Sequence, residues 1–240
     1  MSFIQIEQLR KTFHTGEETV NAVSDVSVEI EQGEFIGVMG PSGSGKSTLL
    51  SILGGLNHPT EGKVVVDGIE IYTLPVEQRA DFRREYLGFV FQSFQLLPYL
   101  TVQENVMLPL TVTHYTSAQQ REMADAILEK VGLAAKAKRL PDELSGGEQQ
   151  RVAVGRALVN QPPIILADEP TGNLDTATSK EVMKLFQQLN IDGHTVIMVT
   201  HNPDNTHYMT RSLHLRDGRV VLENREEPEE CLSRKAATSF

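Results

Sequence analysis

The segment GPSGSGKST, residues 40–48, restricts the possible folds of this chain more than any other stretch. A short apolar run at 35–39 ends immediately before it and predicts a buried strand, and a helical pattern follows over 48–56. Glycines between a strand and a helix let the backbone wrap, so that several N–H groups point inward and can hold an anion. The segment therefore predicts an α/β fold in which this loop is a phosphate cradle.

The cradle matches the pattern G-x-x-x-x-G-K-[ST], in which each fixed position has a chemical role. Lys46 supplies a cation for the β- and γ-phosphates of a nucleotide, and the hydroxyl group of Ser47 can bind Mg²⁺. A chance match in a glycine-bearing turn is the opposing interpretation, and it leaves the flanking strand and helix unexplained. The residues expected to bind the nucleotide here are Gly40, Pro41, Ser42, Gly43, Ser44, Gly45, Lys46, Ser47 and Thr48.

A second apolar run, at 164–167, ends in two acidic residues. It predicts a buried strand that delivers Asp168 to the carboxyl edge of the sheet, where the ligands of such folds bind. Asp168 would hold Mg²⁺, and Glu169 would polarise the attacking water. Two acids that merely cap a strand before Pro170 would give the same pattern, but that alternative loses weight beside the phosphate cradle.

The rest of the chain predicts a parallel core with two additions. Alternating apolar residues at 4–6 and 26–30 predict half-buried, antiparallel strands near the N-terminus. Between residues 88 and 160 the pattern becomes helical. A helix that connects two fully apolar strands, at 164–167 and 196–199, predicts a parallel βαβ unit.

Local signals add detail to this architecture. Thr101 with Glu104 and Ser117 with Gln120 have the spacing of a capping box, so each pair predicts a helix start. An apolar run at 64–66, followed by an Asp-Gly turn, predicts another edge strand.

Composition excludes several classes of protein. The chain has 240 residues, 40% of them hydrophobic, which suits one large domain with an insertion. Its formal net charge of −10, with no basic stretch, argues against nucleic acid as a partner. The N-terminus lacks a secretory signal, and no apolar run approaches the ~20 residues of a membrane span. The single cysteine, Cys231, lies in a charged segment, 223–240, that we expect to be a solvated tail.

The segment LSGGE, residues 144–148, predicts a second place for an anion. Ser145 and Glu148 have the capping-box spacing, and Gly146 and Gly147 leave the first N–H groups of the predicted helix uncovered. One bound nucleotide does not need two cradles so far apart in sequence, so this segment requires a separate explanation.

The order of these motifs resembles that of the ATP-binding-cassette (ABC) ATPases. After the cradle come Gln92, which follows the predicted strand LGFVF, then LSGGE, the apolar run with its two acids, Asp175 and His201. The six family elements occur in order within about residues 1–222. The resemblance implies a P-loop NTPase (RecA-like) core with an N-terminal antiparallel β subdomain and an α-helical subdomain inserted at 88–160.

The resemblance also assigns roles to individual residues. Phe13 stands where the family has an aromatic residue that stacks on adenine, and the plainer alternative is a core aromatic. Gln92 would reach Mg²⁺ and the water, and His201 would face the γ-phosphate, although a solvated glutamine and a structural histidine are the ordinary alternatives. The expected catalytic residues are Lys46, Gln92, Glu169 and His201, and the expected Mg²⁺ ligands are Ser47, Gln92 and Asp168.

A second copy of the chain explains the second cradle. In the family resembled, two cassettes pack head to tail, and the LSGGE segment of one closes the ATP held by the other. Asp175 would then lie at the seam between the two copies. The residues expected to act in trans are Leu144, Ser145, Gly146, Gly147 and Glu148.

Two positions depart from the family pattern. Asn202 follows His201 where aspartate is common, and Gly155 stands in the helix after LSGGE where alanine is usual. Glycine inside a helix costs about 1 kcal/mol relative to alanine. Neither departure removes a catalytic group, so we expect an active ATPase.

Within the family, the runs LLPYLTVQENVMLPL and LADEPTGNLD resemble lipoprotein-releasing and macrolide-export ATPases, a group that includes a cell-division ATPase. This implies a subunit that uses ATP and Mg²⁺, forms a homodimer and drives a separate integral membrane permease from the cytoplasmic face of the inner membrane. The segment 92–100 would dock that permease, or is simply core of the insertion. A cell-division ATPase that moves no cargo is the open alternative, and a kinase would leave LSGGE unexplained.

Overall fold

The computed structural model describes residues 2–16 and 18–225, so Cys231 and most of the expected tail lie outside the described residues. The strands are β1 (Ile4–Thr15), β2 (Glu18–Ile30), β3 (Phe35–Met39), β4 (Glu61–Val66), β5 (Ile69–Glu70), β6 (Leu87–Phe91), β7 (Ile164–Asp168), β8 (Thr195–Thr200), β9 (Arg211–Arg216) and β10 (Arg219–Arg225). The helices are α1 (Lys46–Leu53), α2 (Val76–Tyr86), α3 (Val102–Met107), α4 (Ser117–Lys130), α5 (Gly146–Leu158) and α6 (Thr176–Ile191), with short 3₁₀ helices between them. Among the described residues, none of these helices has the length and apolar character to cross a bilayer.

A sheet of six strands forms the centre of the fold. Its strand order is β10-β9-β3-β8-β7-β6. Strands β3, β6, β7, β8 and β9 run parallel, and β10 returns antiparallel to β9. The predicted βαβ unit is confirmed, because β7 and β8 are parallel neighbours connected through α6. The register brings Met39, Asp168 and Thr200, at the ends of three adjacent strands, to one edge of the sheet.

The two faces of this sheet are each covered by an apolar cluster, which is why its middle strands are hydrophobic throughout. Ile36 and Ile197 point into the cluster shared with the antiparallel sheet. Phe35 and Val196, one residue earlier on each strand, point into the cluster shared with the helical part and α6. Because successive side chains of a strand point to opposite faces, the central sheet packs on the antiparallel sheet through one cluster and on the helical part through the other.

The antiparallel sheet has the order β2-β1-β4-β5 and confirms the predicted N-terminal β subdomain. One detail of the prediction is wrong, because β4, which contains 64–66, is an interior strand between β1 and β5. The two-residue strand β5 pairs with the side of β4 that the sequence predicts to be a free edge.

The helical part consists of α3, α4 and α5, which pack on one another through Val106, Leu128 and Val152. The insertion proposed at 88–160 begins too early, because its first residues belong to β6, which pairs with β7 in the central sheet. The proposed tail also begins too early, since β10 continues through Arg225.

The helix starts show where local signals are ambiguous. The capping box at Thr101 and Glu104 is present. The one predicted at Ser117 and Gln120 is wrong by one residue, because Thr116 caps α4 through the backbone of Gln119. The side chain of Gln120 donates instead to the carbonyl oxygens of Leu110 and Tyr115.

Candidate functional site

The phosphate cradle forms the turn between β3 and α1. Gly43 and Gly45 have positive φ angles, 78° and 99°, which favour glycine. A Cβ atom at Gly45 would lie 2.0 Å from the carbonyl oxygen of Ala22, so no larger residue fits there. Lys46 is almost fully buried, and its Nζ donates to the carbonyl oxygens of Gly40 and Pro41, both at 2.9 Å. The loop therefore holds its own cation through two of its backbone carbonyl groups.

The metal-ligating pair predicted from the sequence meets at this loop. The hydroxyl group of Ser47 donates to Oδ1 of Asp168 at 3.1 Å, so β7 delivers its carboxylate to the start of α1. Burial raises the pKa of Asp168 above its ordinary value, although the Ser47 hydrogen bond acts in the opposite direction. A hydroxyl beside a partly desolvated carboxylate is the hard oxygen donor set that Mg²⁺ prefers, and a bound cation would offset the cost of burial.

The next residue, Glu169, contacts the predicted histidine. Its Oε2 lies 2.9 Å from Nδ1 of His201, which follows β8. Glu169 has a positive φ of 47°, and its N–H donates to the carbonyl oxygen of Val199 at 2.9 Å. A left-handed backbone is unusual for glutamate and costs about 1 kcal/mol or more, and the backbone hydrogen bond to β8 helps to hold this conformation.

The cradle, Glu169 and His201 open into one cavity of about 1050 Å³, whereas Asp168 is not among the described residues that line it. Of the nucleotide-binding residues predicted in the cradle, all except Gly40 and Ser44 line it, and Glu169 and His201 line the same space. Further lining residues come from β2 and from the β9–β10 turn, and the sequence interpretation missed them: Val20, Asn21, Ala22, Ser24, Asp217 and Arg219.

Backbone hydrogen bonds explain this additional wall. The N–H of Gly218 donates to the carbonyl oxygen of Ser44 in the cradle, and the N–H of Ser24 donates to the carbonyl oxygen of Gly218. The turn between β9 and β10 is thereby fixed between β2 and the cradle. The Asp-Gly pair indicates a turn from sequence alone, but its neighbours are set by the tertiary fold.

The predicted residues Phe13 and Gln92 do not line the cavity. Phe13 is not among the described residues that line it; the ring is 37% exposed, and Lys11 Nζ lies 4.9 Å from its centroid. Gln92 donates through Nε2 to Oδ1 of Asn173 at 3.2 Å and does not line the cavity either. Their roles toward adenine, Mg²⁺ and water stay predictions.

The LSGGE segment forms the start of α5, away from the cavity. Ser145 caps the helix by accepting from the N–H of Glu148, and Oε2 of Glu148 accepts from the N–H of Ser145 at 3.0 Å. Gly147 is buried against α6, where a Cβ atom would lie 2.1 Å from Cγ2 of Thr178. Among the described residues that line the cavity, none belongs to 144–148.

Asp175, predicted at the seam between two copies, caps α6. Its Oδ1 accepts from the N–H groups of Ala177 and Thr178, and its Oδ2 accepts from the hydroxyl of Thr178 at 2.6 Å. These hydrogen bonds, those from Thr178 first, hold the pKa of Asp175 below its usual range. A capping role is compatible with a position at a seam, which stays a prediction.

The two departures from the family pattern have local explanations. Asn202 accepts the N–H of Asp204 at 2.9 Å and so caps the 3₁₀ helix Pro203–Tyr208. Gly155 faces α4, where a Cβ atom would lie 3.2 Å from Ile127. An alanine there would be crowded, which offsets part of the helix cost of glycine.

Comparisons with known sequences agree with this geometry. A sequence model of the family described as ABC transporter matches residues 23–172. The chain is 45% identical over 218 residues to an uncharacterized ABC transporter ATP-binding protein, YknY of Bacillus subtilis, covering 91% of this chain and 95% of that protein. It is 44% identical to the macrolide export ATP-binding/permease protein MacB of Neisseria meningitidis, covering 95% of this chain and 36% of that longer protein.

A solved structure has the same fold. It is a dimeric, post-hydrolysis form of the ATP-binding cassette MJ0796 of Methanocaldococcus jannaschii, bound to ADP and Pi. The TM-score is 0.85 at 44% sequence identity, and the match covers 92% of this chain and 98% of the other.

Proposed function

Since the chain belongs to the ABC transporter family and is an ATPase of its cassette type, we propose that two copies close around two molecules of Mg-ATP. Each copy would bind one ATP in its own cradle and close the ATP of its partner with residues 144–148. Hydrolysis would reopen the dimer, and a separate membrane permease would convert the movement into work.

The separation of the two anion-binding helix starts carries this proposal. The cavity beside the cradle holds Lys46, Glu169 and His201, whereas the capped start of α5 contributes nothing to it among the described residues. A helix N-terminus with two glycines in its first turn is a ready site for phosphate. In our proposal, the phosphate at the start of α5 belongs to the ATP bound in the cradle of a second copy. The dimeric structure of MJ0796 supports such a pairing of copies for a relative.

Each residue of the site then has a part in the reaction. Lys46 would leave the carbonyl oxygens of Gly40 and Pro41 and bind the β- and γ-phosphates. Glu169 would accept a proton from the attacking water. His201, whose Nδ1 lies 2.9 Å from Oε2 of Glu169, would orient the Glu169 carboxylate toward the γ-phosphate. Mg²⁺ bound by Ser47 and Asp168 would neutralise charge on the phosphates. Ser145 of the partner copy would complete the site.

The permease would dock on a groove of about 400 Å³ between the central sheet and the helical part. Its lining is largely apolar and includes Phe89, Phe91, Leu108 and Val112, together with the charged side chains Arg83, Arg84 and Arg156. The Arg156 guanidinium donates to the carbonyl oxygens of Phe94 and Gln95, whose φ angles are 57° and 51°. Arg156 therefore fixes the loop after Gln92 in a strained form, and this loop belongs to the 92–100 segment.

This docking gives the protein its place in the cell. We propose that the chain binds peripherally at the cytoplasmic face of the inner membrane through its permease. The similarity to MacB, whose name joins an ATP-binding part with a permease, supports an export-type partner. Expressed with its permease, the chain should fractionate with membranes and resist a salt wash, which would release a merely charged adsorbate.

A mixing experiment tests the exchange between copies. Lys46→Ala removes a site's own phosphate grip, and Gly146→Asp places a carboxylate where the partner's phosphate would bind. Gly146 suits this purpose better than Gly147, since its Cβ would meet Leu174 at 3.4 Å, an ordinary contact. Each pure variant has two damaged sites per dimer. In a mixed dimer, one site receives both lesions and the other receives neither.

Random pairing makes about a quarter of all sites intact in the mixture, so ATP-dependent dimer formation and phosphate release should reappear on mixing. If residues 144–148 served the ATP of their own chain, every site would keep one lesion and mixing would restore nothing. Dimer formation and turnover are measured together, because coupling between sites can suppress turnover alone.

A further inference from the structure

Glu148 is an unexpected residue at a helix start that is to hold a phosphate. A carboxylate in the first turn stabilises a helix, because it faces the positive end of the helix dipole. The same carboxylate repels any other anion that approaches that helix start. The side chain of Glu148 is only 17% exposed, so water screens its charge poorly.

Lys136 compensates this charge. Its Nζ donates to Oε1 of Glu148, and Oε2 already accepts from the N–H of Ser145, so both carboxylate oxygens are engaged. The Lys136 ammonium group, more than any other cause, holds the pKa of Glu148 below its usual range. The ion pair is therefore local and partly buried, with the lysine side chain 30% exposed.

The backbone fixes Lys136 in this position. It ends the 3₁₀ helix Ala134–Lys136, its N–H donates to the carbonyl oxygen of Leu133, and its own carbonyl oxygen accepts from Arg139. The hydroxyl oxygen of Ser145 accepts from Glu148, which leaves the hydroxyl hydrogen to donate to a ligand. Lys136 and the capping box together present a helix start whose acid is neutralised and whose Ser145 hydroxyl hydrogen can donate.

We infer that Lys136 is a positioning residue for the reaction, which neutralises Glu148 so that the start of α5 accepts the γ-phosphate held by a second copy of this chain. This inference rests on the proposed function. Lys136 acts through Glu148, whose carboxylate its ammonium group contacts, and it does not line the cavity beside the cradle. Without the lysine, the carboxylate would face the incoming phosphate with its charge uncompensated.

The experiment compares ATP-dependent dimer formation in a Glu169→Gln background, in which turnover does not interfere. Lys136→Met should raise the ATP concentration that gives half-maximal dimer by about tenfold. The matched control is Lys138→Met, which removes an exposed lysine two positions along the chain. It should change this half-maximal ATP concentration by less than about twofold. In chains that also carry Glu148→Gln, adding Lys136→Met should change it by less than about twofold, because no charge is left to neutralise.

A purely structural role for Lys136 predicts a different result. The loss from Lys136→Met would then be the same with and without Glu148→Gln, and this outcome would overturn the inference. ATP binding to the isolated copy, measured in dilute protein, should be unchanged by these substitutions because Lys136, Lys138 and Glu148 do not line the cavity beside the cradle. Lys136→Gln provides a second neutral variant, and thermal unfolding checks that each one folds.

The proposed function can fail separately. If Ser145→Ala and Gly146→Asp leave dimer formation unchanged, the start of α5 does not meet the partner's ATP, and both proposals fall. If those two variants weaken the dimer and Lys136→Met does not, only the inference about Lys136 is wrong.

Discussion

The chain contains two helix starts that can hold phosphate, and they are built in opposite ways. The start of α1 has no side-chain cap, a left-handed Gly45 at its N-cap and a lysine that folds back over the loop. The start of α5 has a complete capping box around Ser145, no cation of its own in the loop, and an acid that Lys136 neutralises. The start of α1 therefore carries its own cation for a phosphate, whereas the start of α5 has its charges and caps already paired, and in the proposed dimer its phosphate comes from the partner copy.

The acidic residues at the two places make the same contrast. Burial raises the pKa of Asp168, so the cradle holds a carboxylate at a cost that a bound cation would offset. The ion pair with Lys136 lowers the pKa of Glu148, so the second helix start is electrostatically satisfied before any ligand arrives. The cradle is thus prepared for chemistry and the α5 start for recognition.

The largest expected effect concerns Glu169. Glu169→Gln keeps the size of the side chain but removes its basicity, so turnover should fall 10²–10⁴-fold, the typical contribution of a general base. ATP should still bind, and the dimer should persist because hydrolysis no longer reopens it. Phosphate release and size-exclusion chromatography with ATP measure both effects. Glu122→Gln, in the exposed part of α4, serves as the control. A variant that stays monomeric with ATP would contradict the scheme.

Next comes the cation of the cradle. Lys46→Ala should weaken ATP binding to the isolated copy about 100-fold, because two charge-assisted hydrogen bonds to phosphate are lost. The comparison predicts that Lys136→Met leaves the same affinity unchanged, since in the proposed dimer that lysine acts at the partner's nucleotide and not at its own. Titration calorimetry in dilute protein measures both, with the exposed Lys184→Ala as the control. Equal losses for the two lysines would remove the distinction between the helix starts.

A smaller effect is expected where α5 packs on α6. Gly147→Ala would press a methyl group against Thr178, whose hydroxyl is held by Asp175 at 2.6 Å, so the free energy of unfolding should drop by about 1–3 kcal/mol. Thr178→Ser removes the opposing methyl and should restore most of this loss. Gly146→Ala is the matched control, and urea denaturation is the measurement. A stable Gly147→Ala protein would mean that glycine is required there by the ligand alone.

The smallest effects have opposite signs. The folded-state pKa of Asp168 is raised, so its contribution to stability is present below the unfolded value of about 4 and is lost as the pH rises through the folded value. The folded-state pKa of Glu148 is lowered, so its contribution is present above the unfolded value of about 4.3 and is lost as the pH falls through the folded value.

At pH 7 the ATP-free protein should therefore melt at a higher temperature with Asp168→Asn and at a lower one with Glu148→Gln. The second change is worth about 0.5–1 kcal/mol, the usual range of a partly exposed ion pair. Both differences should shrink toward pH 4, where the two carboxyls become protonated in the unfolded chain. If the two substitutions shifted the melting temperature in the same direction, the environments of Asp168 and Glu148 would not differ in the way described.

Sequence reasoning succeeded where a signal is local and failed where two local signals compete. The cradle lies within nine consecutive positions, 40–48, and glycine geometry together with Lys46 makes its chemistry readable in one dimension. The capping box of α4 was placed one residue too late, because Thr116 and Ser117 both stand three residues before a glutamine. Packing decided between them by giving the Gln120 side chain other acceptors.

The amino-acid sequence by itself determined the cradle, the apolar strand that ends in two acids and the capped start of α5, since each depends on residues a few positions apart, and the order of strand and helix patterns indicated the parallel core. Only the tertiary structure decided that β6 belongs to the central sheet, that the β9–β10 turn closes the cavity through Ser44, and that Lys136 neutralises Glu148. The physical reason is the range of the interactions. Backbone geometry and caps are set by neighbours in sequence, whereas sheet order, cavity walls and ion pairs depend on segments that folding brings together.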